Sequence, residues 1–435
     1  MPIPNSSHSH RFDPTDPRCQ FALDVVKQLR SHGFQALWAG GCVRDKLLGT
    51  QPKDYDVATN AVPAEVIRVF GEHRTIPVGA AFGVVMIPGP TKRHGQVEVA
   101  TFRSDGQYLD GRRPDSIRFC SPREDAQRRD FTINGMFFDP IENNILDFVD
   151  GQTDLNQKII RAIGNPIERF NEDRLRMLRA VRFAAALGFS LDPETLHAIQ
   201  TQHQRIHSVS IERIFQELRR MLAHPSRATA LQLLATSQLL TEVLPELSHI
   251  LQIPEKLSYH IRTLQLLESV HFEPALALLL QPLHTQNAKP TQQIGRRLKM
   301  SNQEIDDIAW ILDSIPTLRQ IASKPLHILK PLVAHKLAPL LLAAAAAEDL
   351  ANNRPANDSE FAWHYLAHTP TQQLSPDPLL NGDDLIKAGI KPGPAMREIL
   401  NAVRNTQLDE HINHPTEALQ LALRIANSKN PSTTP

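Results

Sequence analysis

The chain has 435 residues with 47 basic and 47 acidic side chains, so its formal net charge is zero. This balance excludes nucleic-acid binding through a global positive field, although a local basic surface could still serve. The length exceeds what one hydrophobic core supports, and we expect about two to four domains.

The first 16 residues are polar and contain prolines, which predicts a disordered lead-in rather than a signal peptide. Cys19, Cys42 and Cys120 are too widely spaced for a disulfide framework or a zinc site, which favours a reducing cytoplasm. The longest apolar run, 337–347, is short and contains Pro339, so the sequence predicts no membrane span.

From residue 17 to 150, helical patterns alternate with short β-branched runs, which predicts an α+β domain with a small mixed sheet. We expect a helix over 21–31, then the run 35–38, a glycine turn and a helix through 44–48, and strands at 54–58, 83–87 and 97–102. After Gly151 the apolar residues recur at helical spacing without a strand signal, which predicts an all-α remainder.

The strongest motif is a glycine turn followed by two aspartates. Gly40-Gly41 would let backbone amides approach a triphosphate, and Arg44 would start the following helix, where anions are favoured. Asp54 and Asp56, at i and i+2 on a predicted strand, would share a face and ligate a metal for phosphoryl transfer. A solvated turn and an exposed polar strand are the alternative.

Two further clusters are weaker alone. Glu98 lies between apolar neighbours on a predicted strand, as a buried carboxylate that needs a cation or as a surface residue of an edge strand. In the segment from Arg128 to Asn134, the arginines would suit a phosphate, and a carboxylate or amide would accept from a ribose hydroxyl. An ordinary charged turn has the same composition.

The segment from Glu172 to Arg182 predicts a helix that reads a base. Asp173, Arg176 and Arg179 step by three, so they would share one helical face. A carboxylate accepting from an exocyclic amine, beside a guanidinium donating to the ring nitrogen, would admit CTP and ATP and reject UTP and GTP. An unpaired buried group would cost about 1–3 kcal/mol. A helix covered with surface ion pairs is the alternative.

Taken together, these clusters resemble the class II tRNA nucleotidyltransferase and bacterial poly(A) polymerase family, closely over residues 34–191 and loosely beyond. The motifs that carry the resemblance are Gly40-Gly41-Cys42-Val43-Arg44-Asp45, Asp54-Tyr55-Asp56, Arg128-Arg129-Asp130, Asp150-Gly151 with Asp154-Leu155, and Glu172-Asp173 with Arg176. Arg174 departs from the family, which more often has alanine or proline there.

The resemblance implies an architecture and a set of roles. The fold would be α+β, an N-terminal nucleotidyltransferase head with a small mixed β-sheet followed by an elongated all-α neck, body and tail. The expected boundaries are 1–16 for the lead-in, 17–150 for the head, 151–225 for the neck with the base-templating helix, 226–330 for the body and 331–435 for the tail. The implied roles are Mg²⁺ binding by Asp54 and Asp56 beside the catalytic candidate Glu98, triphosphate binding by Gly41 and Arg44, ribose contact by Arg129 and Asp130, base templating by Asp173 and Arg176, and support from Arg179 and Arg182.

We therefore expect an enzyme that adds CMP and AMP from CTP and ATP to the tRNA 3′ end. Within the family, a bacterial poly(A) polymerase or an A-adding-only enzyme stays open. The stretch 78–84 resembles the CCA-adding type, and the loop 101–119 looks full length, which disfavours an enzyme that adds CC only. A non-catalytic RNA-binding protein with an inactive head is the alternative of another class.

The helical half offers two more predictions. Residues 260–312 resemble a decayed HD phosphohydrolase domain, in which His260 matches the first metal histidine and Gln281-Pro282 replaces the His-Asp pair, so we expect a scaffold without hydrolase activity. Basic residues that would contact RNA phosphates are Arg205, Arg213, Arg219, Arg220, Arg296, Arg297 and Lys299.

Overall fold

A computed structural model describes residues 15–79, 83–106, 117–284 and 290–429. Most of the predicted lead-in, the tip of the stretch 78–84, the centre of the loop 101–119 and the last residues of the tail lie outside the described residues. The chain forms two compact units, the first up to residue 221 together with 229–248, and the second 222–228 together with 249 onward. The predicted head, neck, body and tail are a finer division, and their boundaries stay predictions.

Within the described residues, the first unit holds a seven-stranded mixed sheet in the order β3-β4-β5-β2-β1-β8-β9. The strands of the chain are β1 (Ala36–Ala39), β2 (Asp56–Thr59), β3 (Ile76–Gly79), β4 (Val84–Pro88), β5 (Gln96–Thr101), β6 (Arg103–Asp105), β7 (Ile117–Phe119), β8 (Phe137–Asp139), β9 (Asn144–Leu146), β10 (Ile159–Ile160) and β11 (Ser190–Leu191). In the main sheet only β2 and β5 run parallel. The small mixed sheet predicted from the sequence is confirmed.

Helices supply the rest of the regular structure. The α-helices are α1 (Pro17–Ser31), α2 (Gly41–Leu47), α3 (Pro63–Phe70), α4 (Pro122–Gln127), α5 (Gly151–Gln157), α6 (Pro166–Glu172), α7 (Arg176–Leu187), α8 (Pro193–Gln202), α9 (Ile211–Leu222), α10 (Arg227–Thr236), α11 (Leu239–Val243), α12 (Ser248–Leu251), α13 (Pro254–Leu266), α14 (Phe272–His284), α15 (Pro290–Arg297), α16 (Asn302–Leu318), α17 (Leu326–Val333), α18 (Ala338–Ala351), α19 (Asn357–His368), α20 (Thr371–Leu374), α21 (Gly382–Lys387), α22 (Pro394–Leu408) and α23 (Pro415–Lys429). Short 3₁₀ helices lie at Glu72–Arg74, Lys92–His94, Thr132–Asn134, His203–Ser208, Pro245–Leu247 and Ile321–Ser323.

Helix α1 begins at Pro17, four residues before the predicted start at residue 21, because its N-cap is Asp16. The Asp16 side chain accepts a hydrogen bond from the backbone N–H of Arg18, and Pro17 occupies the first helical position. Asp16, the last residue of the predicted lead-in, is only 6% exposed and caps the start of α1.

The expectation of no strand after residue 151 was also wrong, in one detail. β10 and β11 form a two-residue parallel pair, joining Ile159 to Ser190 and Ile160 to Leu191. Strands of this length are too short to show a periodic pattern in the sequence.

The main sheet separates two packed layers near the site. Leu37, Ala39 and Phe137 belong to the cluster on one face. Trp38, which points the other way, packs against Tyr55 and Phe138 with ring centroids 5.2 and 5.9 Å apart. This alternation fixes the register of β1, since a slip by one residue would exchange the two faces.

The second unit is helical, and α14 packs against α16 and α18 in its core. No single helix among the described residues is long and apolar enough to cross a bilayer, and α17 and α18, which reach that length only together, are separated by a bend of 110°.

Candidate functional site

The register of the sheet brings the sequence motifs together. Asp56, the first residue of β2, lies beside Ala39 of β1 on one side and Glu98 of β5 on the other. Ala39 also pairs with Phe137 of β8, which follows the Arg128–Asn134 segment. Because Gly40 follows Ala39 directly, the glycine turn and the acidic residues share one end of the sheet.

The glycine turn begins helix α2. Gly40 has φ +71°, a backbone conformation that favours glycine, and a Cβ atom there would lie 3.0 Å from Arg129 Nη1. Helix α2 begins at Gly41, which corrects the prediction that Arg44 starts it. The Arg44 guanidinium instead donates to Asp45 Oδ1 and Asn134 Oδ1, with distances of 2.6 and 2.7 Å.

The three predicted acidic residues lie together, but in a different backbone setting from the one expected. Asp54 lies in the loop before β2, so the same-strand argument for Asp54 and Asp56 was wrong. Glu98 lies on β5, which is an interior strand, yet its side chain is exposed on the sheet face. It is therefore neither a buried carboxylate nor an edge-strand residue.

The electrostatics of these carboxylates favour a cation. The Asp56 side chain is open at the end of the sheet, but the chain around it excludes much of the water. This desolvation, followed by repulsion from Glu98 and from Asp54, raises the pKa of Asp56 to about 6. No group of three or more His, Cys, Asp or Glu side chains among the described residues is arranged to hold a metal ion. A divalent ion would fit here if substrate phosphate and water oxygens completed its shell, as is usual for Mg²⁺.

The Arg128–Asn134 segment forms a network of charged hydrogen bonds. Arg129 donates to Asp125 through Nε and Nη2 at 3.1 and 3.0 Å. Asp130 accepts from Asn134 and, at 2.6 Å, from Arg179 Nη2. Burial alone would raise the pKa of Asp130, but Arg179 outweighs it and holds the pKa at about 2.

The segment predicted to read a base is not one helix. Asp173 has an extended backbone, with φ −142° and ψ 103°, and separates α6 from α7. Its carboxylate accepts from the N–H of Leu175 at 3.1 Å and from Arg213 Nη2 at 2.8 Å. The prediction that Asp173, Arg176 and Arg179 share one helical face was therefore wrong, because only the two arginines lie on α7.

Arg176 is held on several sides. It is 8% exposed, and its Nη1 donates to Glu172 at 2.6 Å and to the Arg169 carbonyl at 3.1 Å. Its Nη2 donates to the Arg128 carbonyl at 3.1 Å. Arg182, further along α7, pairs with Glu217 of α9.

Three arginines of the site lie against one aromatic ring. The guanidinium carbons of Arg44, Arg179 and Arg182 lie 5.3, 5.3 and 4.1 Å from the centroid of the Phe183 ring. These distances are within the range of cation–π attraction. Phe183 therefore supports positive side chains that would otherwise repel one another.

These groups surround a cleft of about 520 Å³ in the first unit. It is lined by Gly40, Gly41, Arg44, Asp56, Arg128, Arg129, Asp130, Asn134, Asp173, Leu175, Arg176, Arg179, Phe183 and Arg213. Most of the predicted site residues thus meet in one place. Asp54, Glu98 and Arg182 lie outside the lining, although the first two still influence Asp56.

Some residues of the cleft were not predicted from the sequence. Arg213 was assigned to the RNA surface, but it pairs with Asp173, forty residues away along the chain. Phe183 was given no role in the site. The arginine repeat of α7 was a signal for a clustered cation surface, but not for the ring within it. Arg174, the departure from the family pattern, donates to Ser208 Oγ at 2.6 Å.

Three family models match successive parts of the chain. Residues 36–161 match the "Poly A polymerase head domain". Residues 188–251 match a "Probable RNA and SrmB- binding site of polymerase A", and residues 271–423 match "tRNA nucleotidyltransferase domain 2". The fold and cleft of the first unit are accordingly those of a nucleotidyltransferase.

Proteins that are similar over nearly the whole chain indicate which nucleotidyltransferases it is related to. The CCA-adding enzyme of Anoxybacillus flavithermus is 34% identical over 405 residues, covering 92% of this chain and 95% of that protein. The crystal structure of the Bacillus stearothermophilus CCA-adding enzyme in complex with CTP is 30% identical, covers 95% of this chain and 99% of its own, and superposes with a TM-score of 0.79. The Thermotoga maritima enzyme complexed with tRNA, at 20% identity and a TM-score of 0.65 with coverage of 95% and 96%, shares the fold. The chain belongs to the family of CCA-adding enzymes and poly(A) polymerases.

Proposed function

We propose that this nucleotidyltransferase adds CMP and AMP, from CTP and ATP, to the 3′ end of tRNA. The observation that carries the proposal is that Asp56, Asp173 and Arg176 line one cleft. A metal-binding carboxylate and a base-reading pair are both needed for untemplated but selective transfer. The relatives described with CTP and with tRNA support this choice of substrates.

Asp54 and Asp56 would hold Mg²⁺, with Glu98 beside them. A bound Mg²⁺ makes the attacking 3′-hydroxyl of the RNA more acidic and neutralises charge on the phosphates. Arg44, Arg129 and Arg179 donate to the triphosphate from the chain itself, and the amide at the start of α2 adds a further donor. Asp130 orients the ribose.

Base selection falls to Asp173 and Arg176. Beyond its bonds to Leu175 and Arg213, Asp173 Oδ2 keeps a lone pair that can accept the exocyclic amine of cytosine or adenine. Arg176 keeps its Nε–H and one Nη2–H beyond its bonds to described residues. Both side chains are already fixed, so little entropy is lost when a base binds.

The test is nucleotide incorporation into three RNAs, with Mg²⁺ and with CTP and ATP supplied together and singly: a tRNA ending before CCA, a tRNA ending in CC, and an unrelated RNA. We expect C and then A on the first, A alone on the second, and nothing on the third. Use of ATP on the second tRNA only would identify an A-adding enzyme. Long A-tails on every RNA, without use of CTP, would identify a poly(A) polymerase.

An inactive head is the remaining alternative. It predicts that the Asp56→Asn variant binds tRNA and serves the cell as the wild type does, and that the wild type incorporates no nucleotide. Incorporation that the variant loses, with tRNA binding retained, would contradict it.

The proposal also includes the residues that contact tRNA and the cellular compartment of the protein. Among the predicted RNA-contacting residues, Arg205, Arg220, Arg296 and Lys299 are exposed, which supports a role in holding phosphates. Cys19, Cys42 and Cys120 are all described and form no disulfide, which supports a cytoplasmic location.

A further inference from the structure

We propose that Arg18, in the first turn of α1, is a positioning residue for Asp54 and sets the affinity of the site for its divalent ion. Helix α1 precedes residue 36, where the match to the head-domain family model begins. The inference rests on the proposed function, because it takes Asp54 to be a metal ligand.

Arg18 connects the helix to the residue next to Asp54. Its Nη1 donates to the carbonyl of Lys53 at 2.8 Å. On its other edge, Nε and Nη2 donate to the Asp16 carboxylate at 3.1 and 3.2 Å. The Asp16 side chain is only 4% exposed, so the guanidinium is gripped by a carboxylate that cannot easily move.

The start of α1 also bonds to the loop on both sides of Lys53. Gln51 Nε2 donates to Asp16 Oδ2 at 3.2 Å. Tyr55, which is 3% exposed, shares a side-chain hydrogen bond with Cys19. Gln51, Lys53 and Tyr55 are thus each tied to α1, and the Asp54 side chain is left exposed between the last two.

These contacts with α1 are important because Asp54 lies outside the β-ladder. Asp56 is fixed by pairing with Ala39 and Glu98, whereas the ladder of β2 begins only at Asp56. The position of the Asp54 backbone therefore depends on the contacts with α1. Mg²⁺ demands near-ideal octahedral geometry, so a small displacement of one carboxylate weakens binding.

The positive charge of Arg18, considered alone, predicts the opposite effect on metal binding. The Arg18 guanidinium is electrostatically coupled to Asp54, and a nearby positive charge disfavours a bound cation. Removing that charge would then tighten metal binding, whereas loosening the loop would weaken it. Arg18 is about one-third exposed, so solvent screens its charge. We expect the loss of position to outweigh the loss of repulsion.

The experiment measures Mn²⁺ binding directly, by electron paramagnetic resonance of the free ion, on the full-length protein without nucleotide. The variants are Arg18→Lys, which keeps the charge but loses the fork geometry, and Arg18→Gln, which removes the charge. We expect the Kd for Mn²⁺ to rise roughly tenfold in both, as is usual when a group that orients a metal ligand is lost. Hydrogen exchange at the amides of Asp54 and Tyr55 should also become faster.

Arg30→Lys is the matched control. Arg30 also lies on α1 and donates to a carboxylate, Asp139, and to a backbone carbonyl, that of Ala36. Among the described residues it has no hydrogen bond or ion pair with the 51–55 loop, so its replacement should leave the Kd unchanged.

The possible results distinguish a failure of the Arg18 role from a failure of the proposed metal site. Tighter or unchanged Mn²⁺ binding in Arg18→Gln, or a lowered Tm without a change in Kd, would overturn the positioning role. Asp54→Asn tests the assumption itself. If that variant binds Mn²⁺ as the wild type does, Asp54 is not a ligand and the proposed metal site is wrong. If it loses binding while both Arg18 variants retain it, only the inference about Arg18 fails.

Discussion

The cleft of the first unit and the buried His260 of the second unit differ in how their polar groups are satisfied. Around the cleft of the first unit, guanidinium groups are paired with carboxylates: Arg44 with Asp45, Arg129 with Asp125, Arg176 with Glu172, Arg179 with Asp130, Arg182 with Glu217, and Arg213 with Asp173. In the second unit, His260 is 2% exposed, and no described residue bonds to its Nδ1. Burial lowers the pKa of His260 to about 4, so it is neutral near pH 7.

This difference indicates which region does chemistry. Buried ion pairs add little net stability, because desolvation consumes most of their attraction. Their concentration around one cleft is therefore explained better by a polyanionic ligand than by folding. A buried neutral histidine has no such use and acts through packing.

The largest effect on activity should come from Asp56. Asp56→Asn preserves the volume and removes the charge, so we expect incorporation of CMP to fall about 100-fold to 1,000-fold, the usual cost of one electrostatic contact with a transition state. The Tm should stay the same or rise, because a repulsive carboxylate is gone. Asp313→Asn, at an exposed position of the second unit, is the control. Equal activity of the two variants would remove the distinction between the units.

A smaller effect, on selectivity, should come from Asp173. In Asp173→Asn, we expect the preference for CTP and ATP over UTP and GTP to fall about tenfold to a hundredfold, since a mismatched buried group no longer costs its full 1–3 kcal/mol. The measurement is kcat/KM for each nucleotide. Arg213→Gln breaks the same ion pair but leaves the carboxylate, so it should lower kcat/KM for all four alike. An identical loss of preference in both variants would contradict base reading by Asp173.

Phe183 should have a more modest effect, on binding. Phe183→Leu removes about 1 kcal/mol of cation–π attraction, and the KM for CTP and ATP should rise about fivefold with little change in kcat. Phe183→Tyr keeps the aromatic face and should keep the KM. A tyrosine variant as impaired as the leucine variant would show that the shape of the pocket, rather than the ring, is responsible.

His260 should affect stability alone. The unfolded state takes up a proton near pH 6.5 and the folded state only near pH 4, so stability is fully present above pH 6.5 and falls on acidification. The loss should be about 3 kcal/mol by pH 4. Urea unfolding of a Trp38→Phe background, which leaves Trp310 and Trp363 as reporters in the second unit, measures it. His260→Leu should abolish this pH dependence and leave incorporation unchanged. A variant that retains the full acid sensitivity would assign the titration to another group.

Local patterns were enough to predict much of the first unit. Short β-branched runs indicated β2, β4 and β5 to within two residues, because strand propensity and flanking turns are encoded locally. The glycine turn was recognisable for the same reason, since φ +71° at Gly40 restricts the residue type there. The proposed metal-binding role would restrict the acidic pair in the same way.

Other features depended on the contacts of the folded chain. The break at Asp173 interrupts a sequence with helical periodicity, because a bond to the N–H of Leu175 and the pair with Arg213 stabilise an extended backbone there. Asp54 was assigned to a strand for a similar reason. Its spacing from Asp56 fits a strand, but β2 begins only at Asp56, and the carbonyl of the preceding Lys53 accepts a hydrogen bond from Arg18 of α1 instead.

The sequence by itself determined which residue types were present for metal, phosphate and base, and in what order along the chain. Only the tertiary structure decided which of them meet. Charged side chains have many possible partners in a sequence, and the choice depends on which elements pack side by side. Arg213 reached Asp173, and Arg179 reached Asp130, because α9 and α7 border the cleft, and no local pattern encodes that proximity.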